Sequence, residues 1–473
     1  MGLYKKCILI LADGARPDLF QQLLKAGALP TIQKELVEKG GFRTALSAFP
    51  STTGPAYMPF VNGCYPGTCN VPGIRWFNKD VYARKLFSRK RFRSYVGFES
   101  YLMGSDMTPG LKTIFHLIPN SVNIFSPINK GVSFRGNRSK FWRIWYWYYA
   151  YLTDHWTLID KAAREKLLRA IQDDVEFIFA VLPGVDEYSH IADPFHEQTI
   201  KSYQVIDDTV GEVIHLLRKR GEYEETLIMI VSDHGLSSTH THFGLGGFLE
   251  STGRKTFYYP KIFKTGFEAA SMISGNGMGH VYFKGPHGWA GRLNYPLLKE
   301  VAGDVLKGLI SEESVDLVTC QEAQGKIRVM SRRGQAVIAQ EEGHIRYEIL
   351  DQDPFDYPPL PEIMTDREGL ERTYESRYPD ALAQLLQIFH SPRTGDLVIS
   401  AKRGHDLRRR FESPEHKASH GSLDREHMAI PFCSNLPKTP QYIRSVDVFS
   451  TLVEALGRRV PPGIDGSSFF KNE

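Results

Sequence analysis

Short runs that are apolar at nearly every position, each followed at once by polar residues, constrain the fold of this 473-residue chain more than any other feature. The clearest lie in KKCILILADG (5–14), VEFIFAVLPG (175–184) and TLIMIVSDHG (226–235). Runs without polar alternation are typical of parallel strands that are buried on both faces. Residues 196–220, which precede the third run, carry apolar side chains at helical spacing. The sequence therefore predicts an α/β fold with a mostly parallel central sheet and helices on both faces.

Two further strand candidates and two irregular segments complete the predicted organisation. DLVISA (396–401) and MAIPF (428–432) are additional candidates for the sheet. Residues 79–160 are basic and aromatic, and residues 296–385 contain the hairpin-like KIRVMSRRGQAVIAQ followed by HIRYEIL. We interpret both irregular segments as cap insertions within one domain that spans residues 1–473.

The composition argues against several classes of protein. A formal net charge of +4 is small for this length, so a stable nucleic-acid partner is not expected. Five cysteines without a CxxC pair predict neither a disulfide framework nor a thiolate zinc site. The first apolar run is too short for a signal peptide, and no run reaches the roughly 18 apolar residues of a transmembrane helix. We expect a cytoplasmic location, with peripheral attachment to a membrane as the alternative.

Acidic and histidine residues follow the predicted strands or lie in loops beside them. In open α/β sheets, ligands bind beyond the carboxyl ends of the strands, where such residues meet. Three carboxylates and three imidazoles suit a borderline divalent ion, with zinc preferred to iron or manganese. Six ligands exceed the needs of one tetrahedral ion and suit two ions with three protein ligands each. The candidate ligands are Asp13, Asp186, His190, Asp233, His234 and His420, with His416 and His427 as rivals of His420.

The stretch FPSTTGP (49–55) holds three hydroxyl side chains between two prolines and beside a glycine. Proline fixes φ and lacks an N–H, and glycine permits positive φ, so this stretch is neither a helix nor a central strand. It is predicted to be a shaped turn that directs at least one hydroxyl. The alternative is an ordinary loop in which the hydroxyls bind the local backbone.

As a set, these motifs resemble the alkaline phosphatase superfamily, and within it the type I phosphodiesterase/nucleotide pyrophosphatase family. The similarity rests on ADGARPD near the start, FPSTTGP after it, DEYSH before a helix, VSDHG after a strand and SHGS near the end. The closing segment RSVDVFSTLVEALGRRVPPGIDGSS (444–468) is similar as well. The resemblance implies an alkaline phosphatase-like fold over most of the chain and metal-dependent cleavage of phosphate esters.

The resemblance also implies residue roles. It divides the six candidate ligands between two metal sites: Asp13, Asp233 and His234 in one, and Asp186, His190 and His420 in the other. Thr53 lies two residues before Pro55, which is the place of the nucleophile, and its oxygen would be a further ligand of the first site. Thr52 and Ser51 would be structural and cap the following helix. Coordination to a metal ion activates a threonine hydroxyl, so Thr53 is expected to attack phosphorus and form a phosphothreonine.

One departure from the family pattern concerns the contact to a phosphoryl oxygen. Family members usually provide an asparagine, but the corresponding place in this sequence is near Ile74 and Arg75. We predict that Arg75 provides a charged, bidentate contact, with Asn70 and Asn78 as weaker candidates. The alternative for Arg75 is a salt bridge at the surface or in the cap. An arginine at this place would favour a more highly charged group, such as a phosphate monoester.

The first irregular segment contains two unusual stretches. RKLFSRKRFR (84–93) carries six basic residues, and NRSKFWRIWYWYYAYLTDHW (137–156) contains four of the six tryptophans. They are interpreted as a helical insertion whose aromatic residues pack on the body of the protein. The alternatives are a surface that contacts anionic lipid and a platform that stacks on a nucleobase.

These observations predict a metal-dependent phosphodiesterase or nucleotide pyrophosphatase that acts on a small phosphate ester or nucleotide with two divalent ions, expected to be zinc. A phosphomonoesterase or a phosphoryl transferase on the same scaffold is the first alternative. The alternative from another class is a catalytically silent protein that binds a phosphorylated ligand or a membrane.

Overall fold

The computed structural model describes residues 2–85, 88–263, 265–410 and 415–471. The strands in these ranges, numbered in chain order, are β1 Lys6–Ala12, β2 Phe42–Leu46, β3 Arg75–Phe77, β4 Phe92–Ser94, β5 Ser121–Ile124, β6 Phe177–Leu182, β7 Thr226–Val231, β8 Ser237–Ser238, β9 Thr241–His242, β10 Thr256–Phe257, β11 Ala269–Ser274, β12 Met278–Phe283, β13 Val315–Gln321, β14 Ile327–Met330, β15 Gln335–Glu341, β16 His344–Ile349, β17 Ile363–Thr365, β18 Leu397–Ala401, β19 His405–Asp406, β20 Ala418–Ser419 and β21 Ala429–Ser434.

The helices are numbered in the same way. They are α1 Pro17–Lys25, α2 Pro30–Ile32, α3 Glu38–Gly40, α4 Met58–Asn62, α5 Lys79–Arg84, α6 Met103–Asp106, α7 Ile114–Leu117, α8 Trp142–Thr153, α9 Thr157–Gln172, α10 Gly184–Ile191, α11 Glu197–Arg220, α12 Leu245–Ser251, α13 Tyr295–Ser311, α14 Asp366–Thr373, α15 Ala381–Ile388, α16 Arg425–Met428 and α17 Ser445–Ala455. Within the described ranges, none of these helices is both long enough and apolar enough to span a bilayer.

The predicted parallel sheet is confirmed. Six strands lie in the order β2, β21, β7, β1, β6, β5, and β1 pairs in parallel with both β6 and β7. Strand β5 is parallel to β6, whereas β21 is antiparallel to its neighbours β7 and β2. Every residue of β1, β6 and β7 is buried, which explains why their sequences lack polar alternation. Helix α9 packs on β5 and β6, and α11 packs on α9.

A second, larger sheet lies beside the first and was not predicted. Nine strands follow the order β10, β11, β12, β18, β13, β14, β15, β16, β17, and every neighbouring pair except β10–β11 is antiparallel. DLVISA (396–401), predicted for the parallel sheet, contains β18 and lies here instead. All five residues of β18 are buried, and all but Ser400 are apolar, because both faces of this sheet are covered, one by residues of α15 and the other by residues of α12 and α13.

The two segments interpreted as insertions contain parts of both sheets. Residues 79–160 contain β5, the edge strand of the parallel sheet, together with α8. Residues 296–385 contain β13–β17, so the predicted hairpin and the strand after it are integral to the second sheet. Their division from a core domain therefore remains an interpretation. Positions 86 and 87, in the basic stretch 84–93, lie outside the described residues.

A buried ion pair connects α5 to the second sheet. Lys79 Nζ lies 2.8 Å from Asp396 Oδ2, and the two side chains are 6% and 0% exposed. The same carboxylate accepts hydrogen bonds from the backbone N–H groups of Phe283 and Leu293, both at 2.7 Å. Burial raises the pKa of Asp396 and lowers that of Lys79, so each charge depends on the other.

We expect Asp396→Ala to lower the free energy of unfolding by about 3–5 kcal/mol, because it leaves a buried ammonium without its partner. Urea unfolding followed by circular dichroism measures this loss. Lys5→Ala is the control: it breaks the exposed pair between Lys5 and Glu225, 78% and 48% exposed, and its expected cost is below about 1 kcal/mol. Equal losses in the two variants would contradict the assignment.

Candidate active site

The six predicted ligands converge at the carboxyl edge of the parallel sheet. Asp13 follows β1, Asp233 and His234 follow β7, and Asp186 and His190 follow β6. Their strands are neighbours in the order β7, β1, β6. All six residues are 9% exposed or less. The site is therefore a buried polar cluster at the place where parallel strands end.

Asp186 and His190 lie on helix α10, not in the predicted loop. Their four-residue spacing places both side chains on the same face of the helix. Helix α10 has only eight residues, too few for apolar periodicity to reveal it in the sequence. The helix matters to the site because it fixes the spacing of the two ligand atoms.

His420 is the ligand most distant in sequence, and two pairings bring it to the cluster. Strand β20, just before it, pairs with β8, which follows His234. His420 itself forms a bridge with Asn276. The rings of His420 and His234 stack with their centroids 3.7 Å apart. His420 therefore lies within the cluster, and its role as a metal ligand stays a prediction.

Asp186, His190 and His420 form one group whose ligand atoms all lie within 4.8 Å of one another. His190 Nε2 is 3.4 Å, and His420 Nε2 3.9 Å, from Asp186 Oδ1. This group has the same members as one of the two predicted metal sites. Its neighbour His416 has its ring centroid 4.3 Å from that of His190 but does not belong to the group.

Asp13, Asp186 and His234 form a second group with the same 4.8 Å limit. His234 Nε2 lies 3.4 Å from Asp13 Oδ1 and 3.3 Å from Asp233 Oδ2. The predicted members Asp13, Asp233 and His234 are thus adjacent. Asp186 also belongs to this group, so it lies between the two predicted sites, which the sequence did not indicate.

The three histidines are oriented in the same way. Each Nδ1 atom faces a backbone carbonyl: Ala418 O at 2.8 Å for His190, Gly235 O at 3.1 Å for His234 and Ser51 O at 3.1 Å for His420. If Nδ1 donates in each case, Nε2 carries the lone pair and faces the carboxylates. Carbonyl groups fix the rings of metal-binding histidines in this way.

The electrostatics of the cluster also fit cation binding. Burial, reinforced by the charge of Asp186, raises the pKa of Asp13 to about 7, and burial with the charge of Asp13 raises that of Asp233 well above its usual range. Burial lowers the pKa of His234 to about 4, which favours the neutral ring that binds metals. Asp186 Oδ1 and Asp233 Oδ2 are buried without a hydrogen-bond partner among the described residues. The donor set of nitrogen and carboxylate oxygen suits divalent ions such as zinc, manganese or iron.

The FPSTTGP turn brings Thr53 to this cluster. Thr53 Oγ1 is 3.3 Å from Asp13 Oδ1 and 3.0 Å from His234 Nε2. Gly54 has a φ of 93°, a conformation that glycine adopts readily and other residues rarely. The turn therefore directs one of its three hydroxyls at the candidate ligands.

The other two hydroxyls of the turn do not cap the next helix as predicted. Ser51 Oγ donates a 2.8 Å hydrogen bond to the carbonyl of Ser422. Thr52 Oγ1 is buried without a hydrogen-bond partner among the described residues. Gly54, which has no side chain to offer, occupies the N-cap position of the short helical turn Pro55–Tyr57.

The three predicted substrate-binding residues each make hydrogen bonds of their own. Arg75 donates to Ser94 Oγ at 3.1 Å and to Ile273 O at 3.2 Å, and it faces a cavity beside the second sheet. Asn70 Oδ1 accepts from Ser391 Oγ at 2.7 Å. Asn78 caps helix α5 by accepting from the backbone N–H of Val81 at 3.0 Å. Both asparagines thus have structural hydrogen bonds, and their part in substrate binding stays a prediction.

Two residues next to the ligands were not identified from the sequence. Tyr57 donates a 2.5 Å hydrogen bond to Asp13 Oδ2. The sequence feature that could have indicated it is its position four residues after Thr53. Arg143, on α8, is 9% exposed, donates from Nε to Phe125 O at 2.7 Å and stacks over Trp147. The charge of Arg143 interacts with Tyr57 and Asp13. No motif marks it within its aromatic segment.

Comparison with known proteins supports the predicted resemblance. A family model described as type I phosphodiesterase / nucleotide pyrophosphatase matches residues 7–423. GPI ethanolamine phosphate transferase 1 of Gibberella zeae is 22% identical over 251 residues, and that of Neurospora crassa is 23% identical over 252 residues. Each alignment covers 50% of this chain but only 24% of the relative.

Solved structures share the fold. Murine ectonucleotide pyrophosphatase / phosphodiesterase 5 has a TM-score of 0.58 at 13% identity, with 99% of this chain and 98% of that chain covered. Phosphonoacetate hydrolase from Sinorhizobium meliloti, in complex with phosphonoacetate, has a TM-score of 0.57 at 14% identity, with 96% of each chain covered. At these identities, the likeness concerns the fold alone.

We expect the metal-reloaded protein to hold about two divalent ions per chain, as measured by elemental mass spectrometry after dialysis. Asp186→Ala should lower the content of both ions strongly, because Asp186 belongs to both groups of ligand atoms. His234→Ala should retain about one ion. His416→Ala, the control beside His190 that belongs to neither group, should retain both. Undiminished metal content in Asp186→Ala would contradict this arrangement.

Proposed function

Because the chain belongs to the type I phosphodiesterase/nucleotide pyrophosphatase family, we propose that it is a metal-dependent phosphoesterase with Thr53 as its nucleophile. The observation that carries this proposal is the position of Thr53 Oγ1, 3.0 Å from His234 Nε2 and 3.3 Å from Asp13 Oδ1. A hydroxyl directed into a cluster of buried ligand groups is suited to attack, whereas a structural hydroxyl would bind the local backbone.

The proposed reaction proceeds through a covalent threonine ester. The Thr53 oxygen forms a bond to phosphorus, the bond to the leaving oxygen breaks, and the Thr53 proton passes to solvent. A water molecule then attacks the phosphothreonine and releases Thr53. Divalent ions held by the two ligand groups, with zinc as the proposed ion, would supply charge stabilisation to both oxygens and lower the pKa of the attacking hydroxyl.

Two arginines are candidates for the phosphoryl oxygens. Arg75 is proposed from its position in the sequence, and its Nη1 already donates to Ile273 O. Arg143 is a buried cation whose charge interacts with Asp13, and it is anchored to Phe125, directly after β5 at the carboxyl edge. We assign Arg143 as the second cation of the site, because a guanidinium at this edge offers a phosphate paired donors.

Transfer to an alcohol is the second candidate reaction, and the relatives favour it. Both are ethanolamine phosphate transferases by name, although the aligned regions are a quarter or less of their length. In such a reaction, an alcohol oxygen replaces water in the attack on the phosphothreonine. The first step and the role of Thr53 stay the same.

We further propose that α8 contacts an anionic lipid surface. Trp142, Trp145, Tyr149 and Leu152 are 65%, 66%, 49% and 83% exposed, and their spacing places them on one face of the helix. Large aromatic and aliphatic side chains grouped on one exposed face mark an interaction surface. Tryptophan and tyrosine are the residues that membrane interfaces favour.

Basic residues surround this face. Lys166 lines a shallow cavity together with Trp142 and Trp145. Lys140 lies over the ring of Phe134, which is 81% exposed. Positive charge beside an apolar aromatic face complements the anionic headgroups of a membrane. Arg143 extends from the opposite face of the same helix and is anchored to Phe125, so α8 lies between this surface and the carboxyl edge of the sheet.

Hydrolysis of bis-p-nitrophenyl phosphate and p-nitrophenyl phosphate by metal-reloaded protein tests the nucleophile. We expect Thr53→Ala to lower kcat by roughly a thousandfold or more, because the covalent step is lost. Thr52→Ala, one residue away in the same turn, should change kcat by less than about tenfold. Metal content measured in parallel separates loss of the nucleophile from loss of an ion.

The same assay separates the two reactions when ethanolamine or glycerol is added. A hydrolase releases nitrophenol and the hydrolysed phosphate product in unchanged proportion, whereas a transferase still releases nitrophenol but forms a new ester at the expense of the hydrolysed phosphate product. Preference for the monoester would favour the phosphatase alternative. Full activity of Thr53→Ala would show that another residue is the nucleophile.

Vesicle flotation tests the lipid contact. Wild type should float with vesicles that contain phosphatidylglycerol and stay unbound with purely zwitterionic ones, because attraction to anionic lipid adds to apolar burial. Trp142→Ala/Trp145→Ala should weaken binding by roughly tenfold or more. Leu3→Ala, which removes a 68% exposed residue before β1 at the opposite edge of the sheet, should leave it unchanged. Absence of wild-type binding to either vesicle would refute the contact.

A further inference from the structure

A second ligand-sized feature lies beside the candidate active site. It is a cavity of about 450 Å³ between helix α12, strand β11 and the segment after β19. Cavities of this size are typical of small-molecule sites. We propose that it binds a second anionic group, a phosphate or carboxylate, of the same substrate whose phosphoryl group reaches Thr53. This inference rests on the proposed function.

The charge of the lining supports an anion. Three consecutive arginines, Arg408, Arg409 and Arg410, line the cavity, and Arg75 contributes a fourth guanidinium. The acidic lining residue, Glu250, accepts hydrogen bonds from Tyr258 Oη at 3.0 Å and from Lys261 Nζ at 3.2 Å. The side chains that line the cavity therefore carry a net positive charge. Guanidinium groups are the side chains best suited to paired hydrogen bonds with phosphate or carboxylate.

Ser271 is an independent sign of a ligand. Its side chain lines the cavity from β11, and the residue is only 2% exposed. Its Oγ has no hydrogen-bond partner among the described residues. A buried hydroxyl without a partner costs about 1–3 kcal/mol, so such groups are normally satisfied. An anionic oxygen in the cavity would accept this hydrogen bond.

The cavity adjoins the candidate metal ligands along one strand. Ile273 lines the cavity, and Gly275, two residues further, packs so closely on His420 that an added Cβ would lie 2.5 Å from Nδ1. Strand β11 ends at Ser274 and Gly275 has a φ of 59°, so the two places are separated by no more than the roughly 7 Å that two extended residues span. Arg75 Nη1 donates to Ile273 O at 3.2 Å, which ties the cavity wall to this strand. A substrate with two anionic groups of about this separation could reach both places.

Aromatic side chains define the remaining wall. The guanidinium of Arg75 lies over the ring of Tyr259 at 5.4 Å, and Phe243 and Phe248 face the same space. Aromatic rings and guanidinium groups in one lining suit a ligand with a short organic linker that ends in an anion. The inferred substrate class is therefore a phosphate ester that carries a second phosphate or a carboxylate.

The test compares two diesters that share a p-nitrophenyl leaving group and differ in the other arm, which is phenyl or 4-carboxyphenyl. We expect wild type to show a kcat/KM roughly tenfold or more higher for the carboxylated diester, because it gains a charge-assisted contact. Ser271→Ala and Arg409→Gln should bring this ratio close to one. Lys255→Gln, which removes an exposed charge outside the cavity lining, should keep the wild-type ratio.

Calorimetric titration of the full-length Thr53→Ala protein with phenyl phosphate and 4-carboxyphenyl phosphate gives a readout without turnover. We expect tighter binding of the carboxylated ligand, and we expect the additional substitution Arg409→Gln to abolish this difference. That result supports the cavity as the site of the second anionic group. Hydrolysis of both diesters with equal kcat/KM in wild type overturns the inference and leaves the proposed function intact. If neither diester is hydrolysed, the proposed function fails. In that case, equal affinity of Thr53→Ala for the two ligands in the calorimetric titration also overturns the cavity as an anion site.

Discussion

The crowding of three buried carboxylates is the constraint on which the rest of the structure depends. Asp13, Asp186 and Asp233 follow three neighbouring strands, so the order β7, β1, β6 is needed to bring them together. Their mutual repulsion raises the pKa of Asp13 and Asp233 beyond the effect of burial. Gly14, with a φ of 71°, lets the chain pass Asp186, where a Cβ would lie 2.8 Å from the Asp186 backbone. A site packed this closely is built for cations, which offset the charge that the fold concentrates.

The sequence allowed the parallel sheet and most of the candidate ligands to be predicted, because those strands are buried on both faces and end in ligand residues. The second sheet could not be predicted, since β18 is as apolar as β1 although it is antiparallel to its neighbours. An apolar run reports burial and not strand direction. Helix α10 is too short for its apolar residues to show a helical period in the sequence. The membership of Asp186 in both ligand groups depends on interatomic distances, which the sequence does not contain. Arg143 was not identified because its anchor, Phe125, lies 18 residues earlier in the chain and accepts the hydrogen bond through its backbone carbonyl.

Helix α8 illustrates why a composition that looks unusual in sequence needs the structure to be interpreted. Its aromatic residues were interpreted as packing on the body of the protein, and Trp147 does pack on Phe125. Trp142 and Trp145, however, are about two-thirds exposed. The inner side of the same helix also carries Arg143, which is buried and anchored to Phe125 at the carboxyl edge. The helix therefore connects an exposed aromatic face with the electrostatics of the candidate site.

The surroundings of the site also bear on which substrate it accepts. The exposed face of α8 is apolar with basic neighbours, whereas the cavity beside β11 is lined by guanidinium groups. The α8 aromatics face outward on the helix surface, whereas Phe243 and Phe248 stand among the guanidinium groups of the cavity. An ester with an apolar part at an interface and a charged group in the cavity matches both surroundings. In the proposed membrane contact, the α8 face would exclude water beside such a substrate, and interception of a phosphothreonine by an alcohol would then compete better with hydrolysis.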